Sequence, residues 1–249
     1  MVRQTRRGGL IYEWKSSGFA RAAGGGLAAE MEHPPRGFAP MFSGRDLSGW
    51  KGFTGDAPKR WALDEAERLA QQREADERMR MHWSVIDGAL HFDGADDGAN
   101  LVSGPMFGDF ELICDWKIGP GPPPGDSGIY LRGVPQVQIW DNPTGSGGLY
   151  NNQKHPSRPR VVADRPVGAW NRFFIRMVGE RVSVWLNGRL VVDDVPLENY
   201  WNRGAPLPER GEIELQAHGS PLWFKNIFVR ELDEAALAPG LPPTLPADP

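Results

Sequence analysis

Two short alternating segments carry the residue types best suited to holding a polar ring and moving a proton on it. The first, Asp126 to Asn142, reads DSGIYLRGVPQVQIWDN. Ile129 and Leu131 fall on one side of an extended chain, and Tyr130 and Arg132 on the other, because side chains on a strand alternate faces. Beyond Gly133 and Pro135, Val137 and Ile139 share a face opposite Gln136, Gln138 and Trp140, with Asp141 just after. A solvated face favours Lys, Glu, Ser and Thr. Amides, a guanidinium and aromatic rings instead suit a sugar, although a polar surface under a loop reads the same way. The second segment is GEIELQAHG. Ile213, Leu215 and Ala217 point inward, and Glu212, Glu214, Gln216 and His218 share the opposite side. Glu214 and His218 lie roughly 13 Å apart at about 3.3 Å per residue. That separation lets a general base and a general acid address two sides of one ring. A third segment, DFELICDWKI, sets Glu111, Asp115 and Lys117 opposite Leu112, Cys114 and Trp116. Pairing of charges across strands is a sufficient structural reason for Asp115 and Lys117. The three segments together suggest one concave face with carboxylates, amides, Arg and His.

Ordinary glycosidases place two carboxyl groups about the scissile bond. In Gln136-Val137-Gln138 amides stand at the alternate positions of a strand, and an amide neither attacks nor donates a proton as an acid does. Two-acid hydrolysis from this strand is disfavoured. Other chemistries find little support. The five His residues (33, 82, 91, 155 and 218) show no H-x-H or H-E-x-x-H spacing. There is no G-x-S-x-G elbow, phosphate loop or dinucleotide fingerprint. DGADDGAN, with Asp93, Asp96 and Asp97, reads as an acidic surface turn, since its spacing is not that of an EF-hand. The single Cys114 excludes thiolate clusters and internal disulfides.

Positioning these residues requires strands and turns. Asp87-Gly88, Asn187-Gly188 and Gly179-Glu180 lie between alternating runs and predict two-residue hairpin turns. About a dozen short strands follow from Trp83 onward, which indicates an all-β sandwich or jelly roll. The frequent Gly (31) and Pro (23) suit its many loops, and 10 Trp suit aromatic-lined clefts or a sandwich core. Residues 58–81 differ. They are rich in helix formers and predict one inserted surface helix, with Glu74–Arg78 and Asp76–Arg80 at i,i+4 spacing. Residues 1–36 read as a disordered leader or degraded export signal carrying Arg6-Arg7, residues 37–232 as the folded domain, and 233–249 as a disordered Ala/Pro-rich tail. The net charge of −4 gives no argument for a nucleic-acid partner, and no apolar run reaches the roughly 18 residues of a membrane span.

Six motifs occur in order: GFAPMFSGRDLSGW, WSVIDGALHF, FGDFELICDWKI, DSGIYLRGVPQVQIWDN, GAWNRFFIRMVGERVSVWLNGRLVV and IELQAHGSPLWFKNI. Over about residues 37–232 the chain resembles the 3-keto-disaccharide hydrolase domain family. The resemblance implies a concanavalin A-like jelly-roll sandwich of two antiparallel sheets, a bacterial and usually exported protein, and cleavage of glycosides whose glucose is oxidised at C3. Periplasmic or extracellular location follows from the resemblance only; no clear signal peptide is read here, and a cytoplasmic location stays open. Many members read Glu-x-Gln where this chain has Gln136-Val137-Gln138, and Asp126 stands where Asn is frequent. A C3 ketone acidifies the hydrogen on C2, so one base and donors for an enolate oxygen suffice. In that chemistry Glu214 is the expected base, Asp115 its alternate, and His218 the acid or second base. Arg132, Gln136 and Gln138 bind the ketone or hydroxyls and Trp140 stacks on the ring, with Tyr130, Asp141, Lys117 and Gln216 completing the contacts. No cofactor is assigned, and a divalent metal as electrophile stays open. A sugar 3-oxidoreductase is the expected functional partner, since the ketone must be made. A non-catalytic carbohydrate-binding module and a structural or adhesion domain remain the alternatives.

Overall fold

The computed structural model describes residues 33–121 and 124–233, together with the backbone of a short strand pair, β1 (Arg3–Gln4) and β2 (Leu10–Ile11). The expectations for the 1–36 leader and the 233–249 tail fall almost wholly outside these residues.

Two antiparallel sheets face one another. The chain contributes β3 (Ala39–Pro40), β4 (Trp50–Gly52), β5 (Trp83–Ile86), β6 (Ala89–Phe92), β7 (Leu101–Phe107) and β8 (Phe110–Ile118). There follow β9 (Asp126–Leu131), β10 (Val134–Trp140), β11 (Asn171–Val178), β12 (Arg181–Leu186) and β13 (Arg189–Pro196). The last two are β14 (Gly211–Leu215) and β15 (Leu222–Glu231). The smaller sheet runs β10-β9-β14-β7-β4, and the larger runs β13-β12-β11-β8-β15-β6-β5 with β3 added beside β15. The alternation seen in the sequence sends Leu112, Cys114 and Trp116 of β8 into the same buried cluster as Ile129, Leu131, Val137, Ile139, Ile213 and Leu215 of the smaller sheet. This is the expected β-sandwich, with the core between its layers. Cys114 is fully buried there, and burial raises its thiol pKa well above the ordinary value.

The expected hairpin turns are present: Asp87-Gly88 and Asn187-Gly188 both take positive φ, as does Gly179. A further turn of this kind joins β9 to β10 through Arg132 and Gly133, at φ 55° and 70°. β7 was not legible because Gly104 and Pro105 interrupt it. Its pairing partner jumps from Met106 opposite Glu212 to Val102 opposite Glu214, a bulge that isolates this interruption from the rest of the ladder.

The helical insertion is two helices rather than one, α1 (Ala57–Ala62) and α2 (Glu65–His82). Between them Asp64 caps α2, its side chain accepting from Glu67 N while Glu67 answers to Asp64 N. The inserted helix is not merely a solvated surface element. Ala75 lies so close to Gly52 that a Cβ at position 52 would stand 2.0 Å from the Ala75 carbonyl oxygen. Asp76 accepts from Gly52 N at 2.9 Å, and Arg78 pairs with Asp96, so neither residue serves the i,i+4 pairing expected within the helix. The acidic turn around Asp93 and Asp96 thus receives the end of α2, with His82 Nδ1 3.1 Å from Asp93.

Candidate active site

The register of the smaller sheet assembles the first two segments of the sequence into one face. Trp140 pairs with Asp126, Gln138 with Gly128, and Glu214 with Tyr130. Gln216 N donates to Gly128 O at 3.0 Å. Because Val137, Ile129 and Leu215 stand in register on the core side, the alternate residues share the outward side. Three cross-strand rows result: Tyr130 with Glu214, Gln138 with Gly128 and Gln216, and Trp140 with Asp126, beyond which His218 approaches.

Glu214 is the most deeply buried carboxylate of this face. Its carboxyl is wholly buried, and desolvation raises its pKa to about 7, against the lowering effects of Asn100 and Arg60. Asn100 Nδ2 donates to Oε1 at 2.6 Å, and Asn100 Oδ1 accepts from Ala217 N at 2.7 Å, which fixes the amide's orientation. From α1, Arg60 reaches over the sheet and sets Nη1 3.9 Å from Glu214 Oε2 and Nη2 3.4 Å from Glu212 Oε2. Its Nη1 and Nε are buried without a hydrogen-bond partner. Sequence reasoning did not single out Arg60 or Asn100. A carboxyl that titrates near neutrality beside a guanidinium with free N–H groups is an arrangement for removing a proton and stabilising the anion formed.

The amides are engaged with their neighbours on the same face. Gln138 Nε2 donates to Asp126 Oδ1 at 2.6 Å and to Ser127 O at 3.1 Å, and its Oε1 accepts from Gln136 Nε2 at 2.8 Å. Gln138 therefore positions its neighbours. Gln136 lies over Gly128, where an added Cβ would stand 2.5 Å from its Cδ, and Gln136 Oε1 is left unpartnered, as is Gln216 Oε1. Tyr130 accepts from Gln216 Nε2 at 3.4 Å, and burial, then the Glu214 charge, raise its pKa, so the phenol keeps its proton. Burial raises the Asp126 pKa as well, opposed first by the Gln138 hydrogen bond and then by nearby His218. His218 itself is exposed. Trp140 is half-buried at the sheet edge, its indole donating to Gly145 O at 2.7 Å.

Four expected site residues lie elsewhere. Asp115 and Lys117 belong to β8, on the outer face of the other sheet, which looks away from Glu214. Asp115 there accepts Arg172 Nε and Nη2 at 2.5 and 2.7 Å and Asn226 Nδ2 at 2.8 Å. The Lys117 ammonium sits 4.3 Å from the Trp223 ring and 5.0 Å from that of Trp170. Arg132 is not on the strand but in the β9–β10 turn. Its guanidinium is tied to Gly108 O at 2.8 Å and Asp109 Oδ1 at 2.7 Å, which pins that turn to the β7–β8 connection. Asp141 is exposed past the end of β10 and lines a small cleft of about 110 Å³ on the far side of Trp140. Among the described residues, no three His, Cys, Asp or Glu side chains are grouped to hold a metal ion.

Residues 37–230 match the model of the 3-keto-alpha-glucoside-1,2-lyase-like domain. The chain belongs to that family. A relative from Bacteroides thetaiotaomicron, a 3-keto-disaccharide hydrolase, is 24% identical over 253 residues, covering 79% of each chain. Two solved structures from Parabacteroides distasonis, both provisionally assigned as glycosyl hydrolases, share the fold. One has a TM-score of 0.56 at 24% identity over 79% of this chain and 95% of its own; the other has 0.50 over 74% and 99%. As a 3-keto-alpha-glucoside-1,2-lyase-like domain, the chain places its buried acid on β14 and its amides on β9's other neighbour, β10.

Proposed function

We propose that this protein cleaves 3-keto-glucosides, including 3-keto-disaccharides, by removing the proton on C2. Glu214 takes that proton, and the C–H electron pair forms an enolate between C2 and C3. The enolate oxygen is met by the unpartnered N–H groups of Arg60, with the protonated Tyr130 phenol as a second donor. As the C3 carbonyl re-forms, the bond from C1 to its oxygen substituent breaks and leaves a C1=C2 double bond. The departing oxygen takes a proton from His218, at the solvent edge beside Asp126. Addition of water then places hydroxyl on C1 and hydrogen on C2, so that the sum is hydrolysis. Glu214 is covered by Arg60 in this structure, so in this reading the Arg60 side chain swings from Glu214 toward the enolate oxygen as the substrate enters. The observation that carries this reading is the buried Glu214 carboxyl, with a pKa of about 7, placed under a guanidinium. No second carboxylate with the spacing of a glycosidase pair is needed.

The test is turnover. Given 3-keto-trehalose or another 3-keto-glucoside, the protein is expected to release the C1 substituent, followed by chromatography, and to leave the unoxidised parent sugar intact. Saccharide binding without release would support the carbohydrate-binding alternative instead, and failure to bind either sugar would support the structural one. A ketone at C3 must come from an enzyme that oxidises that carbinol, so the proposed substrate implies a sugar 3-oxidoreductase upstream.

A further inference from the structure

A cleft of about 280 Å³ opens at the edge of β10, beside the face that carries Glu214 and bounded in part by Gln138, Trp140, Tyr150, Gln153 and Arg158. It is close to the lower end of ordinary ligand sites, about 300–1,000 Å³, and so suits one small ring. Its aromatic wall is built and fixed. The Trp140 and Tyr150 rings meet edge to face at 6.3 Å and 76°, Trp140 Nε1 is tied to Gly145 O, and Tyr150 N donates to Gln136 O at 3.0 Å. The rest of its lining is mostly polar and contains no carboxylate. Arg158 and Gln153 are exposed, and the Arg158 guanidinium makes no hydrogen bond or ion pair among the described residues. The cleft is joined to the proton-transfer site by Gln138, which lines it while holding Asp126. β10 lies two strands from β14, about 10 Å at the usual 4.8 Å strand spacing. A sugar ring with its hydroxyls fits within that span over β9, between Glu214 and the cleft.

From this placement we infer that the cleft is the leaving-group subsite and takes a second, hydroxyl-bearing sugar ring, with Tyr150 and Arg158 as its specificity determinants. A lining that combines an aromatic pair with amide, hydroxyl and guanidinium groups fits the apolar faces and polar rim of a hexose. An alkyl chain would leave the polar side unpaired, which costs binding. The inference rests on the proposed reaction for the identity of the other ring, but binding tests it separately.

The measurement is calorimetric titration of Glu214→Gln protein with 3-keto-trehalose, methyl 3-keto-glucoside and 4-nitrophenyl 3-keto-glucoside. The disaccharide is expected to bind most tightly. Tyr150→Ala and Arg158→Ala, added singly, should each weaken it about tenfold, which is about 1.4 kcal/mol, and leave the methyl glucoside unchanged. Tyr150→Phe should retain most of the wall and lose less, and a thermal melt of each variant separates this loss from unfolding. Equal weakening of both ligands, no weakening of either, tighter binding of the nitrophenyl compound, or no binding of any ligand would overturn the inference. Failure of the proposed reaction looks different: the wild-type protein then cleaves none of the compounds while the difference in binding persists.

Discussion

Glu214→Gln is expected to lower kcat on a 3-keto-glucoside by about a hundredfold or more, the usual worth of a general base being about 10²–10⁴. The substitution keeps the volume of a side chain that has no room to relax and keeps an acceptor for Asn100 Nδ2. It removes the ability to take a proton and, with it, the charge that faces Arg60. A binding constant for the same sugar that changes far less than kcat would place the loss in the chemical step. Stability supplies an independent readout. The Glu214 pKa is raised from its ordinary 4.5 to about 7, so the unfolded chain ionises first as pH rises. The stability contributed by the neutral acid is complete below pH 4.5 and is lost as pH rises through 7. The full change, about 2.5 units, amounts to about 3 kcal/mol. In Glu214→Gln that pH dependence should vanish from denaturation midpoints between pH 4.5 and 7. If the wild-type and variant curves run parallel across this range, Glu214 is not the neutral, buried acid described.

Asp115→Ala is expected to destabilise the fold by about 3–5 kcal/mol, the ordinary cost of removing one partner from a buried ion pair. The carboxylate takes two N–H groups of Arg172 and the amide of Asn226, joining β8 to β11 and β15 at the centre of the larger sheet. It lies on the outer face of the sheet that does not carry Glu214. Turnover per folded molecule, measured at a temperature well below the melting transition, should therefore match wild type. A loss of kcat in protein shown to be folded would return Asp115 to the site and contradict the separation of the two faces.

These two acids show what the sequence contained and what it lacked. Alternation along GEIELQAHG was enough to put Glu214 opposite the core, because the period of a strand is a local property. The same alternation put Asp115 opposite the core and was equally right. It could not say that the two outward faces of a sandwich point in opposite directions, since sheet membership is decided by pairing with strands far along the chain. Arg132 was misplaced for a different reason. Arg-Gly lacks the Asn-Gly or Asp-Gly signature of a tight hairpin, yet Arg132 takes φ 55° and leaves the strand. Arg60 was invisible, because nothing in a charged helical insertion indicates which side chain will fold back over a distant carboxylate. Gln136 and Gln138 fall between these cases. Their face was legible, but their engagement with Asp126, Gly128 and each other depends on the β9–β10 register.

The central claim is that bond cleavage at C1 begins with proton removal at C2. A 3-keto-glucoside carrying deuterium only at C2, turned over in ordinary water beside an enzyme-free control, tests it most directly. The elimination path predicts that the early product is a C1=C2 enone from which the label is gone, and that release is slower than from the protiated substrate. Quantitative retention of deuterium at C2 in the released sugar, with no slowing, would contradict it and point to direct displacement at C1.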